Sequence, residues 1–141
     1  MQRFRYLACA LALAASACSG SSTTSPTTPT LLTIDFTSDT YGPLTPNGSQ
    51  TFAFAATAAG QVGVSLIALN PDGPNGATVG LELGVWDGNN CQRIVHNDRV
   101  GIGGAAVVAN ATAPGSLCAG ILDATGTLPG PETFDIQVTH P

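Results

Sequence analysis

Cys91 and Cys118 are the two cysteines in the part of this 141-residue chain that is expected to fold. Of the other two cysteines, Cys9 falls in an N-terminal leader that marks the protein for export, and Cys18 follows that leader directly. Because an exported protein meets an oxidising compartment, the pair predicts a structural disulfide. The alternative is a metal site with His96 as a third ligand, but no Cys-x-x-Cys or His-x-x-x-His spacing supports it.

The leader, residues 1–17, has the pattern of a secretory signal peptide, with two arginines, an apolar stretch and small residues before a cleavage site. The sequence Ala15-Ser16-Ala17-Cys18 resembles the lipobox of bacterial lipoproteins. That resemblance implies that Cys18 is lipidated, and Ser19 beside it implies sorting to an outer membrane. If Cys18 carries no lipid, the protein is secreted. Residues 18–30, rich in Ser, Thr and Pro, are predicted to form a flexible tether.

A hydrolase site would need a serine, a histidine and an acid brought together, and His96, Asp98 and Ser116 are the candidate trio. No Gly-x-Ser-x-Gly elbow is present to expose the serine as a nucleophile. The acidic residues are scattered rather than paired as glycoside hydrolysis requires. His140 is next to last and is expected to be mobile. We therefore predict that the protein is not an enzyme and needs no cofactor.

Oxygen ligands in the predicted loops offer a second chemistry, the binding of calcium. The candidate ligands are Asp72, Asn75, Asp87 and Asp98, because carboxylate and amide oxygens suit Ca²⁺. No EF-hand spacing is present, and Asp-Gly and Asn-Gly turns explain such residues without a metal. Calcium is thus the alternative to a protein without a bound ion.

Trp86 is the only tryptophan in the chain, and its surroundings suit the recognition of a sugar ring. It alternates out of phase with Leu83 and Val85, which predicts an outward side chain at the end of a strand. The other interpretation is that Trp86 covers the outer face of a sheet or caps the strand end. The candidate ligand-binding residues are Trp86, Asp87, Asn89 and Asn90.

Charge excludes several classes of partner. Only 9% of the residues are charged, and the formal net charge is −5. Two of the four arginines lie in the leader, so that only Arg93 and Arg99 remain in the part that folds. Nucleic-acid binding and electrostatic binding to anionic lipid both need a basic surface, which the sequence lacks. We expect contact with a membrane through the lipid anchor alone.

The elements that position these residues are predicted to be strands. Residues 31–141 form one domain in which apolar residues alternate with polar or small ones, as in Leu32, Ile34 and Phe36. Gly, Pro, Asn and Asp clusters punctuate the alternating runs, and no helical period follows the leader. The pattern predicts an all-β fold, an antiparallel β-sandwich or jelly roll of about eight strands. From residue 91 onward, the predicted strands are residues 91–96, 105–109, 117–122 and 134–138.

Five of the runs, taken in order, resemble the bacterial pre-peptidase C-terminal domain. They are TFAF at 51–54, QVGVSL at 61–66, LELGVW at 81–86, GSLCAGI at 115–121 and FDIQV at 134–138. That family is a β-sandwich appended to secreted enzymes, and it also occurs in stand-alone exported proteins. The resemblance implies a non-catalytic accessory module in a small lipoprotein.

These observations lead to two expectations about function. The first is a lipid-anchored, non-enzymatic module of the cell envelope that contacts a protein or a polysaccharide at the cell surface or in the periplasm. The alternative is a carbohydrate-binding module centred on Trp86, with calcium as an aid.

Overall fold

A computed structural model describes residues 28–69, 78–103 and 106–141. The signal peptide, Cys18 and the candidate calcium ligands Asp72 and Asn75 lie outside these ranges. None of the helices in the described ranges is long and apolar enough to cross a membrane. The elements are β1 (Leu32–Thr37), α1 (Ser38–Tyr41), β2 (Ser49–Ala56), β3 (Gly60–Leu69), β4 (Val79–Trp86), β5 (Cys91–Val100), β6 (Val107–Ala111), β7 (Gly115–Leu122) and β8 (Phe134–His140).

The strands form two four-stranded antiparallel sheets, ordered β1-β8-β3-β6 and β2-β7-β4-β5. Strand β4 pairs with β5, β3 with β6, β2 with β7 and β1 with β8, so that the first four strands pair in reverse order with the last four. This is a long hairpin rolled up on itself, with its tip at the β4–β5 turn. The strand order is that of a jelly roll, which confirms the predicted fold class.

Alternation along the strands builds the core between the sheets. In β2, Phe52, Phe54 and Ala56 are buried, while the residues between them face solvent. Phe36 of β1 stacks on Phe52 with ring centroids 4.7 Å apart, so aromatic rings join the two sheets. Each such side chain contributes about 1.5–3 kcal/mol through burial, which makes this face the main source of stability.

The core face ends before the end of β4. Leu83 is buried as predicted, whereas Val85, predicted to lie on the same face, is 41% exposed. On β5, Val95 pairs with Leu83 and Arg93 pairs with Gly84, so Ile94 is an extra residue in a bulge. The bulge bends the edge strand away at this level, and the two sheets do not close over Val85.

The sandwich has two ends that differ in what they carry. The Pro141 end holds the first described residues, Pro141 and the connections at 57–59, 87–90 and 112–114. The Asp123 end holds α1 and the segments 42–48 and 123–133. Because β1 pairs with β8, the chain enters and leaves the domain at the Pro141 end. His140 is only 2% exposed there, so the expectation of a mobile side chain was wrong: the alternation of β8 places it in the interior.

Candidate functional site

Cys91 and Cys118 form the predicted disulfide, with their Cα atoms 5.8 Å apart. Cys91 begins β5 and Cys118 lies in β7, and β4 runs between these two strands. Two strand spacings in a flat sheet would separate them by roughly 9.5 Å. The shorter distance requires the start of β5 to fold over Gly84 of β4, where an added Cβ would collide with the backbone carbonyl of Gln92. The missing side chain at position 84 therefore lets the disulfide close.

The turn between β4 and β5 is held by the carboxylate of Asp87. Its Oδ1 accepts hydrogen bonds from the backbone N–H groups of Asn89, at 2.9 Å, and Asn90, at 2.8 Å. These two bonds and a weaker one from Gln92 lower the pKa of Asp87 below its ordinary value. The carboxylate is thus engaged in shaping the turn, which presents Trp86 at the Pro141 end.

A recess with a volume of about 540 Å³ opens beside the partly buried Trp86. We call it the Trp86 recess. It lies where the edge strands β5 and β6 diverge and the β6–β7 loop passes across the end of the sandwich. It falls in the size range of small-molecule sites. No lining residue is charged. The lining residues are Val85, Trp86, Ile94, Asn110, Ala111, Thr112, Ala113, Pro114, Gly115, Ser116 and Leu117.

A smaller apolar recess of about 40 Å³ lies beside the Trp86 recess. We call it the inner recess. Four residues line both: Ile94, Asn110, Ala111 and Leu117. Its other walls are Val62, Leu83, Gly84 and Ala109. The small inward residues of β6, Ala109 and Ala111, leave this space unfilled, and Ile94 of β5 borders it while remaining 68% exposed.

The structure separates the predicted ligand-binding residues. Trp86 lines the recess, whereas Asp87, Asn89 and Asn90 form the adjacent turn and do not line it. The polar residues that line the recess are Asn110, Thr112 and Ser116 instead, and of these Asn110 is exposed and alternates out of phase with Ala109 and Ala111. In the sequence, Asn110 directly follows the run predicted at residues 105–109, and no motif there indicates a position beside Trp86. Their proximity to Trp86 arises from the order of strands in the jelly roll, which no local pattern reveals.

The two candidate calcium ligands that the structure describes, Asp87 and Asp98, lie far apart on the turn before β5 and near the end of β5. Asp98 lies seven residues along β5 from Cys91, which is about 23 Å of strand. Within the described ranges, no group of three or more His, Cys, Asp and Glu residues could hold a metal ion.

The trio considered for hydrolysis is also dispersed. His96 Nε2 lies 3.8 Å from Asp98 Oδ2, but both side chains are about half exposed. Ser116 lies on β7, which β4 separates from β5. By strand register, Ser116 is level with Trp86 and His96 with Glu82, a difference of about 13 Å along the sheet. No proton could pass directly between the serine and the histidine.

At the Asp123 end, a buried carboxylate holds two segments together. Asp123 accepts hydrogen bonds from the backbone N–H groups of Asn47 at 3.0 Å, Thr127 at 3.0 Å and Leu128 at 3.3 Å. Burial raises the pKa of Asp123, but these bonds and one from Gly126 outweigh it and leave the pKa below its ordinary value. The ionised form is therefore the one that the fold requires, and this role is structural.

The described residues thus define a disulfide-linked jelly roll with an uncharged recess at the end where the chain enters and leaves. No protein-family model matches the chain, and no curated protein matches it. The resemblance to the pre-peptidase C-terminal domain remains a prediction from the sequence.

Proposed function

We propose that this protein is an exported, lipid-anchored binding module without enzymatic activity, which acts at the cell surface or in the periplasm through the Trp86 recess. The recess itself carries the proposal. It is large enough for a ligand, lies at the end of a rigid sandwich and contains the single tryptophan. Partly buried tryptophan side chains are common energetic centres of binding sites.

The absence of enzymatic activity is supported by the residues around the recess. Its polar members, Asn110, Thr112 and Ser116, are neutral groups with no histidine or acid among the lining residues to act as a general base. Thr112 and Ser116 are the hydroxyl residues in the lining, and His96 is several residues away from Ser116 along the sheet. Such a site can bind a ligand but has no group to activate an attack.

The anchored state is supported by the sequence before the domain. Cys18 stands in a lipobox-like motif, and a Ser/Thr/Pro-rich stretch separates it from β1. An acylated cysteine supplies about 0.8 kcal/mol for each buried CH₂, enough with several chains to hold the protein on a membrane. The domain needs no basic surface of its own for this purpose.

A second candidate is that the recess binds a carbohydrate. An indole ring offers a flat apolar platform, and neutral hydroxyl and amide groups can hydrogen-bond to sugar hydroxyls. The Trp86 recess combines these groups with no charge. Saccharide, rather than protein, is favoured by this combination of one aromatic residue with several small polar ones.

The proposal is tested by retention of the purified, oxidised protein on isolated cell-envelope material. We expect Trp86→Ala to weaken retention at least tenfold, because removal of a central aromatic residue costs about 2 kcal/mol or more. Ile102→Ala is the matched control, since Ile102 is 59% exposed at the other end of the sandwich. Equal retention of the Trp86→Ala and Ile102→Ala variants would show that the recess is not the binding site.

The same assay separates the two candidates. Retention that survives protease treatment of the envelope material indicates a saccharide, and retention lost on that treatment indicates a protein partner. Repeating the assay with Ca²⁺ and with a chelator tests whether calcium assists. Binding unaffected by the chelator removes calcium from the proposal.

A further inference from the structure

We propose that the Pro141 end of the domain rests directly on the lipid bilayer in which Cys18 is anchored. We call the contacting region the entry surface, which consists of Leu31, Leu32, Trp86 and the connections at 57–59 and 112–114. The inference rests on the lipid anchor proposed above and goes beyond it. It gives the domain a second contact with lipid and a fixed orientation on the membrane.

Strand pairing and hydrogen bonds bring the parts of the entry surface to one end of the sandwich. Leu32 pairs with His140 at the start of β1. The N–H of Thr57 donates to the carbonyl oxygen of Pro141 at 3.0 Å, which holds the β2–β3 connection against the end of β8. The ends of β2 and β4 both pair with the start of β7, so Trp86 stands at this end as well.

Exposed apolar side chains collect at the entry surface. Leu31 is 60% exposed and Leu32 is 48% exposed. The partly buried Trp86 combines an apolar ring with a single N–H donor, the combination that favours the boundary between lipid and water. The two connections add the small exposed residues Ala59, Ala113 and Pro114. Contact with lipid would remove this apolar surface from water.

Charge distinguishes the two ends of the sandwich. Among the described residues at the Pro141 end, one side chain is charged, that of Asp87, and two backbone N–H groups already bind its Oδ1. The Asp123 end exposes an apolar side chain as well, that of Ile102, but it also exposes Asp39, Asp98 and Arg99. Charged side chains lose hydration when they meet lipid, so the Pro141 end is the one suited to the contact.

The length of the chain before the domain favours the same orientation. Thr28 stands ten positions after Cys18, and ten residues span at most about 35 Å. The ten-residue strand β3 runs about 33 Å between the two ends of the sandwich. The Asp123 end could touch the bilayer only if those ten residues were almost fully extended along the domain, which costs conformational entropy. The Pro141 end reaches the bilayer without that extension.

The contact orients the domain, whereas the acyl chains attach it. A few partly exposed side chains bury much less apolar surface than an acyl chain does, so they add little to the strength of attachment. The contact needs no basic residue and therefore no anionic lipid. It places the Trp86 recess beside the bilayer, where the recess meets ligands that lie at the membrane surface.

Quenching of the single tryptophan by spin-labelled lipid tests the proposal. The acylated protein, purified from the membrane fraction, is reconstituted into phosphatidylcholine vesicles that carry a nitroxide either on the headgroup or deep in the acyl chain. A nitroxide quenches only at short range, so a domain that stands away from the bilayer keeps its emission with both lipids. We expect the headgroup nitroxide to quench Trp86 more than the deep nitroxide, because tryptophan lies at the level of the headgroups.

Leu31→Asp tests whether the entry surface makes the contact. Leu31 precedes β1 and is 60% exposed, so the fold does not depend on its side chain. A carboxylate at this position would lose hydration against lipid, and we expect the variant to lose most of the quenching while its acyl chains keep it on the vesicles. Ile102→Asp is the matched control at the Asp123 end, where Ile102 is 59% exposed, and it should keep the wild-type quenching.

The outcomes separate this inference from the anchor on which it rests. Association with vesicles without quenching by either lipid would overturn the contact and leave the anchor intact. Failure to associate with the vesicles would overturn both. Equal quenching of Leu31→Asp and the wild type would show that the entry surface does not make the contact. The comparison of the two lipids on the wild-type protein decides whether the Pro141 end meets the bilayer even if Leu31→Asp fails to fold.

Discussion

At the scale of single residues, Asp123 and Asp135 show that the surroundings of a carboxyl group can shift its pKa in either direction. Backbone donors surround Asp123 and lower its pKa despite burial. Asp135 has an Oδ1 atom that is buried without a hydrogen-bond partner among the described residues. Burial, together with the charge of Asp35, raises the pKa of Asp135. One carboxylate therefore stabilises the fold when ionised, and the other opposes it.

We expect Asp123→Asn to lower the free energy of unfolding by about 2 kcal/mol at pH 7. The substitution replaces a carboxylate oxygen, which accepts backbone N–H bonds, with an NH₂ group, which cannot accept them. A depressed folded pKa adds stability above the unfolded pKa, and that stability is lost as the pH falls below about 3.9. The difference between the variant and the wild type should therefore shrink in acid. Urea unfolding at several pH values measures it, and a difference independent of pH would contradict the argument.

Asp135→Asn should stabilise the fold at neutral pH, which is the opposite of the effect expected for Asp123→Asn. A raised folded pKa means that the ionised carboxyl destabilises the fold at neutral pH. Removal of the charge is expected to raise the unfolding midpoint at pH 7 and to have no such effect once the carboxyl of the wild type is protonated. Thermal unfolding at neutral and acidic pH provides the comparison. A lower midpoint at pH 7 would show that the carboxylate has a stabilising partner.

The sequence predicts some residues of the disulfide and the candidate site, but not the residues that lie beside them. The Cys91–Cys118 pair could be predicted because the expected loss of the leader and acylation of Cys18 leave two cysteines to oxidise. Trp86 could be selected because it is unique and ends a strand. Asn110 and Ser116 could not, since nothing local places β6 or β7 beside Trp86. The candidate site was therefore found at one residue and missed at its polar partners.

At the scale of elements, the alternation of apolar residues predicts strands well where side chains are large. The same alternation predicts strands poorly where the side chains are small. The run predicted at residues 105–109 is in fact β6, Val107–Ala111, two residues later. Alanines give no contrast between the two faces of a strand, so pairing with β3 sets its limits. The bulge at Ile94 leaves no signal in the sequence for the same reason: the paired strand decides it.

Gly84 is the element-scale position at which a single change is most informative. We expect Gly84→Ala to lower the free energy of unfolding of the oxidised protein by about 1–3 kcal/mol, because the methyl group meets the backbone of the β5 strand. Gly115→Ala is the matched control, since a Cβ there meets nothing within 4 Å. Urea unfolding measures both. Equal effects would show that β5 moves away without cost.

At the scale of the whole molecule, the class of fold could be predicted but the strand order could not. Eight alternating runs with turn residues between them indicate a sandwich. The pairing of β1 with β8 and of β2 with β7 depends on contacts between distant parts of the chain, such as those of Phe52 with Phe36 and Phe134. Such contacts depend on the packing of the whole core, so local sequence patterns could not predict the position of the recess.

The anchor proposed at Cys18 belongs to the whole molecule as well. We expect Cys18→Ala to move the protein from the membrane fraction to the soluble fraction, because the acyl chains supply the attachment. Quantitative blotting of both fractions measures the distribution. The Trp86→Ala variant serves as the control and should remain with the membrane. If Cys18→Ala stays in the membrane fraction, another part of the chain holds it there.

The entry of the chain at the Pro141 end also sets the affinity that the recess needs. Thr28, the first described residue, stands ten positions after Cys18, and ten residues span at most about 35 Å when fully extended. With Cys18 acylated as proposed, this length would keep the Trp86 recess in a thin layer above the bilayer, where the effective concentration of a ligand fixed in the same layer reaches the millimolar range. A site with a dissociation constant near one millimolar is then half occupied, and it can release one ligand and bind the next without the protein leaving the envelope.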